Sequence, residues 1–212
     1  MITTFTVIRH GETAANQGNI IQGQTDVPLS ETGEDQARLL GKRWKNKKFD
    51  AVYSSDLSRA RRTAELAFPG RKAETTPLLR EMDLGHWCGL STDVIAERFP
   101  DEWSAFRSGS SECKIAGGES RHELFARTEK FFTAAAARNR GKSVLVVTHG
   151  GLLRAFFLLV MGGEKVKFDL LPATGNTGIS VAKFDDETGK WRLVTWNDTA
   201  HLESLLDGDD AY

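Results

Sequence analysis

The sequence predicts an α/β domain with helices packed on both faces of one sheet. Short β-branched runs alternate with amphipathic segments, and no repeat, low-complexity tract or linker divides the chain. The strongest apolar run, Val144, Leu145, Val146 and Val147, has the composition of a strand buried on both faces of a parallel sheet. With 212 residues, 40% of them apolar and 27% charged, and a mean hydropathy of −0.37, the chain can bury a core as a single domain over residues 1–212.

Taken in order, residues 4–8 read as a buried strand that stops at Arg9 and His10 and turns at Gly11. Residues 30–47 read as an amphipathic helix, with Ala37, Leu40 and Trp44 on one face and Glu34, Asp35, Arg38 and Lys42 on the other. Its start is marked by Ser30 or by Thr32, the latter with Asp35 as a capping box. A second strand is expected at residues 49–53. Ser54, Ser55 and Asp56 then offer caps to a helix that Pro69 and Gly70 stop. A third strand falls near residues 76–79. Residues 85–118 mix aromatics, acids, Gly and Ser without sustained period, and read as short helices forming a lid. Ser120 and Glu123 open a helix to about Arg138, residues 143–148 form the strongest strand, and His149, Gly150 and Gly151 lead into an apolar helix. Residues 178–184 and 191–196 look like a hairpin at the sheet edge, and residues 202–212, with Asp207, Asp209 and Asp210, like a frayed tail.

Charge and cysteine content narrow the function classes. The 28 Lys plus Arg balance 29 Asp plus Glu, a net charge of −1, so no global field draws the chain to nucleic acid or to an anionic membrane. Cys88 and Cys113 stand in no metal-ligand or disulfide spacing and read as ordinary thiols of a reducing compartment. Neither a basic N-terminal segment before an apolar run nor a membrane-length apolar stretch is evident, so the expectation is a cytoplasmic protein. The Asn197, Asp198, Thr199 triplet is read as a chance match to the glycosylation pattern.

In open α/β sheets ligands bind beyond the carboxyl ends of the strands. This sequence places Arg9, His10 and Gly11 at the first such end, Ser54, Ser55 and Asp56 with Arg59 at the second, Arg80 and Glu81 at the third, and Thr148, His149 and Gly150 at the fourth. Two arginine forks can neutralise most of a phosphate dianion, and main-chain amides beside Gly11, Gly150 and Gly151 could add donors. A neutral imidazole beside a bound phosphoryl group is a competent nucleophile, a second imidazolium can stabilise the charge on its oxygens, and Glu81 is the natural proton donor to the leaving alkoxide.

The run Arg9, His10, Gly11, Glu12, Thr13, with Asn16, resembles the opening of the histidine phosphatase, or phosphoglycerate mutase-like, superfamily. The blocks around Gln22, Gly23 and Asp26, around Arg59 and Thr63, around Glu81, Gly85 and Trp87, at Gly118, Glu119 and Ser120, and at His149, Gly150 and Gly151 follow in the family's order. The resemblance implies a three-layer α/β/α sandwich with a mostly parallel sheet. It implies His10 as the phosphorylated nucleophile, Arg9 and Arg59 as phosphate clamps, His149 as the second histidine, Glu81 as the acid, and neither metal nor cofactor. Asn16 and Asn176, and the Gln22 and Gly23 block, then fall at the substrate pocket.

Other residues have plainer readings. His86, His122 and His201 read as surface or satisfied core residues. Trp87, Trp103 and Phe106 read as the apolar underside of the lid, with substrate stacking as the alternative. Gly117, Gly118 and Glu119 fit a turn or a substrate contact equally. The basic run Lys42, Arg43, Lys45, Lys47 and Lys48 reads as a solvated helix face.

A mutase must hold a second anionic group, but residues 86–118 carry three cations against five acids, a poor cradle for one. The stretch Met82, Asp83, Leu84, Gly85 and Trp87 also resembles the phosphatase branch, among whose members are broad-specificity, fructose-2,6-bisphosphatase-like and alpha-ribazole phosphatase-like proteins. The reading is therefore hydrolysis of a small phosphorylated metabolite through a phosphohistidine. Phosphoglycerate mutase-type transfer is the alternative, and a silent phospholigand-binding module is disfavoured because both histidines, both arginines and Glu81 are all present. Oligomeric state is not legible.

Overall fold

In the structure, a computed structural model that describes residues 1–163 and 173–203, six strands form one sheet in the order β3-β2-β4-β1-β5-β6. They are β1 (Ile2–Arg9), β2 (Ala51–Ser55), β3 (Glu74–Thr76), β4 (Ser143–Thr148), β5 (Ile179–Asp185) and β6 (Lys190–Asp198). The pairs β3/β2, β2/β4 and β4/β1 are parallel, and β1/β5 and β5/β6 are antiparallel. The register of β1 with β4 sets Arg9 opposite Thr148, so the next residue of each strand, His10 and His149, leaves the sheet at the same level.

The helices are α1 (Ala14–Gln17), α2 (Glu31–Arg43), α3 (Ser58–Ala67), α4 (Thr92–Arg98), α5 (Pro100–Arg107), α6 (Arg121–Arg138) and α7 (Gly150–Val160). Alternation along the strands sends Phe5, Val7, Val144 and Val146 into a core with Phe132 and Ala136 of α6 and Leu152 and Phe156 of α7. Ile8, Leu145 and Val147 point the other way, against Leu40 of α2 and Ala60 and Ala64 of α3. The three layers are thus helix, mostly parallel sheet, helix. Among the described residues no helix is long and apolar enough to cross a membrane.

Several boundaries depart from the sequence expectation for identifiable reasons. Helix α2 begins at Ser30, whose hydroxyl accepts from the Gly33 amide, and it ends at Arg43. Ser54 to Asp56 do not cap α3, because the Ser54 hydroxyl donates to the Ser55 carbonyl and Asp56 is held by Arg80. The Ser58 amide instead donates to Asp26 Oδ1 at 2.7 Å, a cap supplied from 32 residues upstream. The third strand lies at β3, before Pro77, and Pro77–Leu79 forms a 3-10 turn, since proline has no amide to give a ladder. Helix α1 is too short to show a period, although Thr13 and Asn16 cap it reciprocally. The capping box at Ser120 and Glu123 and the β5/β6 hairpin are as expected, and the tail from residue 204 lies outside the described residues.

The loop after β1 is locked against α2 by two glycines. A Cβ at Gly11 would lie 2.4 Å from the Gly33 carbonyl oxygen, and one at Gly33 would lie 2.1 Å from the Glu12 carbonyl oxygen. In an exposed helix Gly→Ala stabilises by about 1 kcal/mol. At Gly33 the contact is with backbone that carries His10, so the sign inverts. We expect Gly33→Ala to lower stability by roughly 2 kcal/mol or more, read as a fall in melting temperature; an unchanged or raised temperature would contradict the packing described.

Candidate active site

At the carboxyl ends of β1 and β4 lies a cavity of about 250 Å³. Arg9, His10, Asn16, Gln22, Gly23, Arg59 and Glu81 line it, as the sequence anticipated. His149, Gly150 and Asn176 are adjacent but do not form its wall. Ile20, Ile21, Met82, Leu84 and Phe106 give it an apolar side, and Arg154 adds a cation that sequence reasoning missed.

The two imidazoles are buried, their ring centroids 5.1 Å apart. His10 Nδ1 is 2.6 Å from the Gly11 carbonyl oxygen, which can only accept, so Nδ1 carries the proton and Nε2 keeps its lone pair. Burial, reinforced by the charges of Arg9 and Arg59, holds the His10 pKa well below the usual histidine value. His10 is therefore neutral, with its free lone pair on Nε2.

His149 has the opposite tautomer. Arg59 Nε donates to His149 Nδ1 at 3.2 Å, so the ring proton sits on Nε2, which is buried without a protein partner among the described residues. Burial and the neighbouring His10 and Arg59 press its pKa well below the ordinary range, so it stands as a neutral donor rather than the imidazolium the sequence reading supposed. An orphaned buried donor costs about 1–3 kcal/mol unless a ligand accepts from it.

Arg59 is fully buried in the first turn of α3, its Nη1 and Nη2 bonded to the Thr25 and Gly23 carbonyls at 2.7 and 2.8 Å. Gly23 thus acts through its carbonyl. Arg9 Nη1 donates to the Thr174 carbonyl, while its Nε is buried without a partner. Burial lowers the pKa of both guanidiniums, yet as arginines they remain cations. Among the described residues the cavity wall so holds three guanidiniums, those of Arg9, Arg59 and Arg154, against one acidic side chain, that of Glu81.

Glu81 Oε1 accepts from the Met82 and Gly151 amides at 2.8 and 2.9 Å, and a Cβ at Gly151 would lie 2.3 Å from that oxygen. The Gly151 amide is therefore committed to Glu81, and the Gly11 amide to Thr63 Oγ1. Neither is a donor to a ligand, contrary to the sequence expectation. Arg80 does not compete for Glu81, since it forms a bidentate pair with Asp56 at 2.7 and 2.8 Å. The Glu81 backbone is pinned by Arg127, which bonds the Leu78, Arg80 and Glu81 carbonyls and pairs with Glu119. The Glu119 block is thus structural: it seats Arg127, and a Cβ at Gly118 would lie 2.4 Å from the Asp83 carbonyl oxygen.

Asn16 Oδ1 accepts from the Thr13 amide and hydroxyl, and Asn176 Nδ2 donates to the His10 carbonyl at 3.1 Å from behind. Trp87 is fully buried in the main core, with Trp103 and Phe106 edge-to-face against it; of the three only Phe106 reaches the cavity. His86 pairs with Glu102, and His201 Nε2 meets Thr177 Oγ1 at 2.8 Å. The missed Arg154 had a readable signal. It is the one charge in the apolar run of α7, and it follows Gly150 and Gly151 at helical spacing.

Residues 5–199 match the sequence profile of the histidine phosphatase superfamily, branch 1. The chain is 36% identical to a metal-independent phosphoserine phosphatase of Arabidopsis thaliana, covering 98% of this chain and 89% of the relative. It is 35% identical to phosphoglycerate mutase-like protein 4 of the same plant, covering 93% and 86%. Among solved structures it is similar to a mutant of Entamoeba histolytica phosphoserine phosphatase in complex with phosphoserine, with a TM-score of 0.85, 28% identity and coverage of 94% and 99%.

Both imidazoles are held neutral, so protonating either favours the unfolded chain. Their stabilising contribution is complete above the unfolded histidine value of about 6.5 and is lost as pH falls below it, by up to about 1.4 kcal/mol per pH unit for each ring. Urea denaturation at about pH 7 and about pH 5.5 checks this, carried out in a His201→Gln background because burial lowers that ring to about 4 and gives it a slope of the same sign; the carboxylates titrate mainly below that window. Equal unfolding free energies would refute the neutral pair.

Proposed function

We propose that this chain, which belongs to the histidine phosphatase superfamily, hydrolyses a small phosphomonoester that also carries a carboxylate, with His10 as the nucleophile. The observation that carries this reading is the pair of opposed tautomers. His10 presents a lone pair, and His149 presents a proton 5.1 Å away, ring to ring, in a cavity with excess positive charge.

The phosphoryl group sits between Arg9 and Arg59, with His149 Nε2 donating to one of its oxygens. His10 Nε2 attacks phosphorus in line. The N–P bond forms as the ester P–O bond breaks, and Glu81 gives its proton to the departing oxygen. Water then attacks the phosphohistidine, loses its proton to Glu81 and releases orthophosphate. The His10 Nδ1 bond to the Gly11 carbonyl stabilises the positive ring in the intermediate. Asn176 and the Thr63 hydroxyl hold the nucleophile's backbone.

The substrate class rests on Arg154 and on the relatives. A phosphoserine phosphatase and a structure complexed with phosphoserine are among the similar proteins, and phosphoserine bears a carboxylate close to its phosphate. Arg154 supplies one cation on the wall beyond the two clamps, enough for a carboxylate but not for a second phosphate. Phe106, Ile20 and Ile21 cover the carbon skeleton.

The test is phosphate release from phosphoserine, 3-phosphoglycerate and p-nitrophenyl phosphate with excess EDTA. We expect turnover by the wild type and none by His10→Ala; interconversion of phosphoglycerates without net release would replace hydrolysis by mutase transfer. Arg154→Met should raise KM for phosphoserine by about ten- to a hundredfold, the worth of a charged hydrogen bond, while leaving p-nitrophenyl phosphate nearly unaffected. Glu81→Gln should lower kcat for alkyl phosphates by roughly 10²–10⁴. Its effect should shrink for p-nitrophenyl phosphate, whose leaving group needs no proton; an equal loss on both would remove Glu81 from the acid role.

A further inference from the structure

A second cavity exceeds the one at the strand ends in volume. A groove of about 860 Å³ opens between the carboxyl ends of α2 and α3. Both helices begin beside the histidines, at Ser30 and Ser58, and run away from them, so the groove lies at the far end of the helix layer. The 13 residues of α2 put roughly 20 Å between its ends.

Trp44 and Phe68 line the groove, and Phe49 lies buried beneath them. The three rings are 5.6 to 5.9 Å apart; Trp44 is half-buried at the wall and Phe68 shows only its edge. The sequence reading took the basic run here for a solvated helix face, but the fold brings Phe49 and Phe68 beside Trp44. The rim is Lys42, Lys45, Lys47, Lys48 and Arg71, and among the described residues no carboxylate lines the groove. Arg38, also in the wall, is already paired with Glu34 and Asp35. Lys42, Lys45 and Lys48 have no ion-pair partner among the described residues. Lys47 rests over the Trp44 ring at 4.3 Å, and Arg71 donates to the neutral Phe49 carbonyl.

Neutralising helix ends does not account for this charge. Each helix carboxyl terminus carries about half a negative charge, so two helices answer about one of the five cations. A lone apolar molecule would leave the cations unanswered, and a lone inorganic anion would leave the aromatic floor bare. The volume falls within the roughly 300–1,000 Å³ of small-ligand sites.

We propose that this groove is a second binding site, separate from the strand-end cavity, for a nucleoside polyphosphate: its base covers the Trp44 and Phe68 surface and its phosphates meet Lys42, Lys45, Lys48 and Arg71. Lys47 yields the indole face to the base and turns to the phosphate chain.

The test is calorimetric titration of the His10→Ala protein, in which turnover is blocked, with ATP, inorganic tripolyphosphate and adenosine. We expect one ATP per chain, bound more tightly than tripolyphosphate or adenosine, weakened by salt, and undisturbed by saturating orthovanadate at the strand-end cavity. Adding Lys45→Glu and Lys48→Glu, both exposed and remote from the histidines, should weaken ATP by about tenfold or more. The same pair should leave the far-UV circular dichroism and the cooperative melt of the protein in place, which certifies the fold. No ATP binding up to millimolar concentration, displacement by vanadate, or unchanged affinity in the Glu variants would overturn the site. Equal affinity for tripolyphosphate would overturn the nucleoside assignment. None of these outcomes depends on whether phosphoserine is hydrolysed.

Discussion

Positive charge concentrated in a buried place is the constraint around which this molecule is arranged. Arg59 is fully buried and Arg9 half-buried, and the one acidic side chain of the cavity wall among the described residues, Glu81, cannot answer both. An isolated guanidinium in such a setting would cost several kcal/mol. Here the charge is spread over carbonyl oxygens of Gly23, Thr25 and Thr174 and over the lone pair of His149. Those neutral acceptors keep the guanidiniums ordered without cancelling them. The excess remains available to a phosphate dianion.

The same charge organises the histidines. Burial, reinforced by this charge, disfavours protonation of either ring, and the hydrogen-bond partners then decide where each single proton sits. A carbonyl at Gly11 must accept and a guanidinium at Arg59 must donate, so two identical side chains at equivalent strand ends acquire opposite chemistry. The parallel register of β1 and β4 brings them to the same level, and the short approach of Gly11 to Gly33 holds the loop that carries the first.

Glu81 is fixed from two directions. Its carboxylate is oriented by the amides of Met82 and Gly151, and its backbone is clamped by Arg127, itself seated by Glu119 of a loop nearly forty residues away in sequence. Rigid support of this kind keeps a reacting group within the narrow range of positions that proton transfer tolerates. The opposite end of the helix layer shows the converse arrangement, cations with aromatic rings beneath them and no carboxylate to organise them.

By itself the sequence determined the α/β alternation, helix α2 from its period, helix α6 from its capping box, the β4 strand, and the expectation that Arg9, His10, Arg59, Glu81 and His149 converge. His10 and His149 were legible because each directly follows a strand and so must face the crevice; Glu81 lies beyond the Pro77 turn, five residues past β3, and was marked by its motif rather than by a strand end. Tertiary structure alone decided the rest. The cap of α3 comes from Asp26, Arg154 enters the cavity wall from α7, Asn176 turns to the His10 carbonyl, and the Glu119 block serves Arg127. Each depends on contact between segments distant in sequence, and no local pattern encodes which donor will meet which acceptor once the sheet has closed.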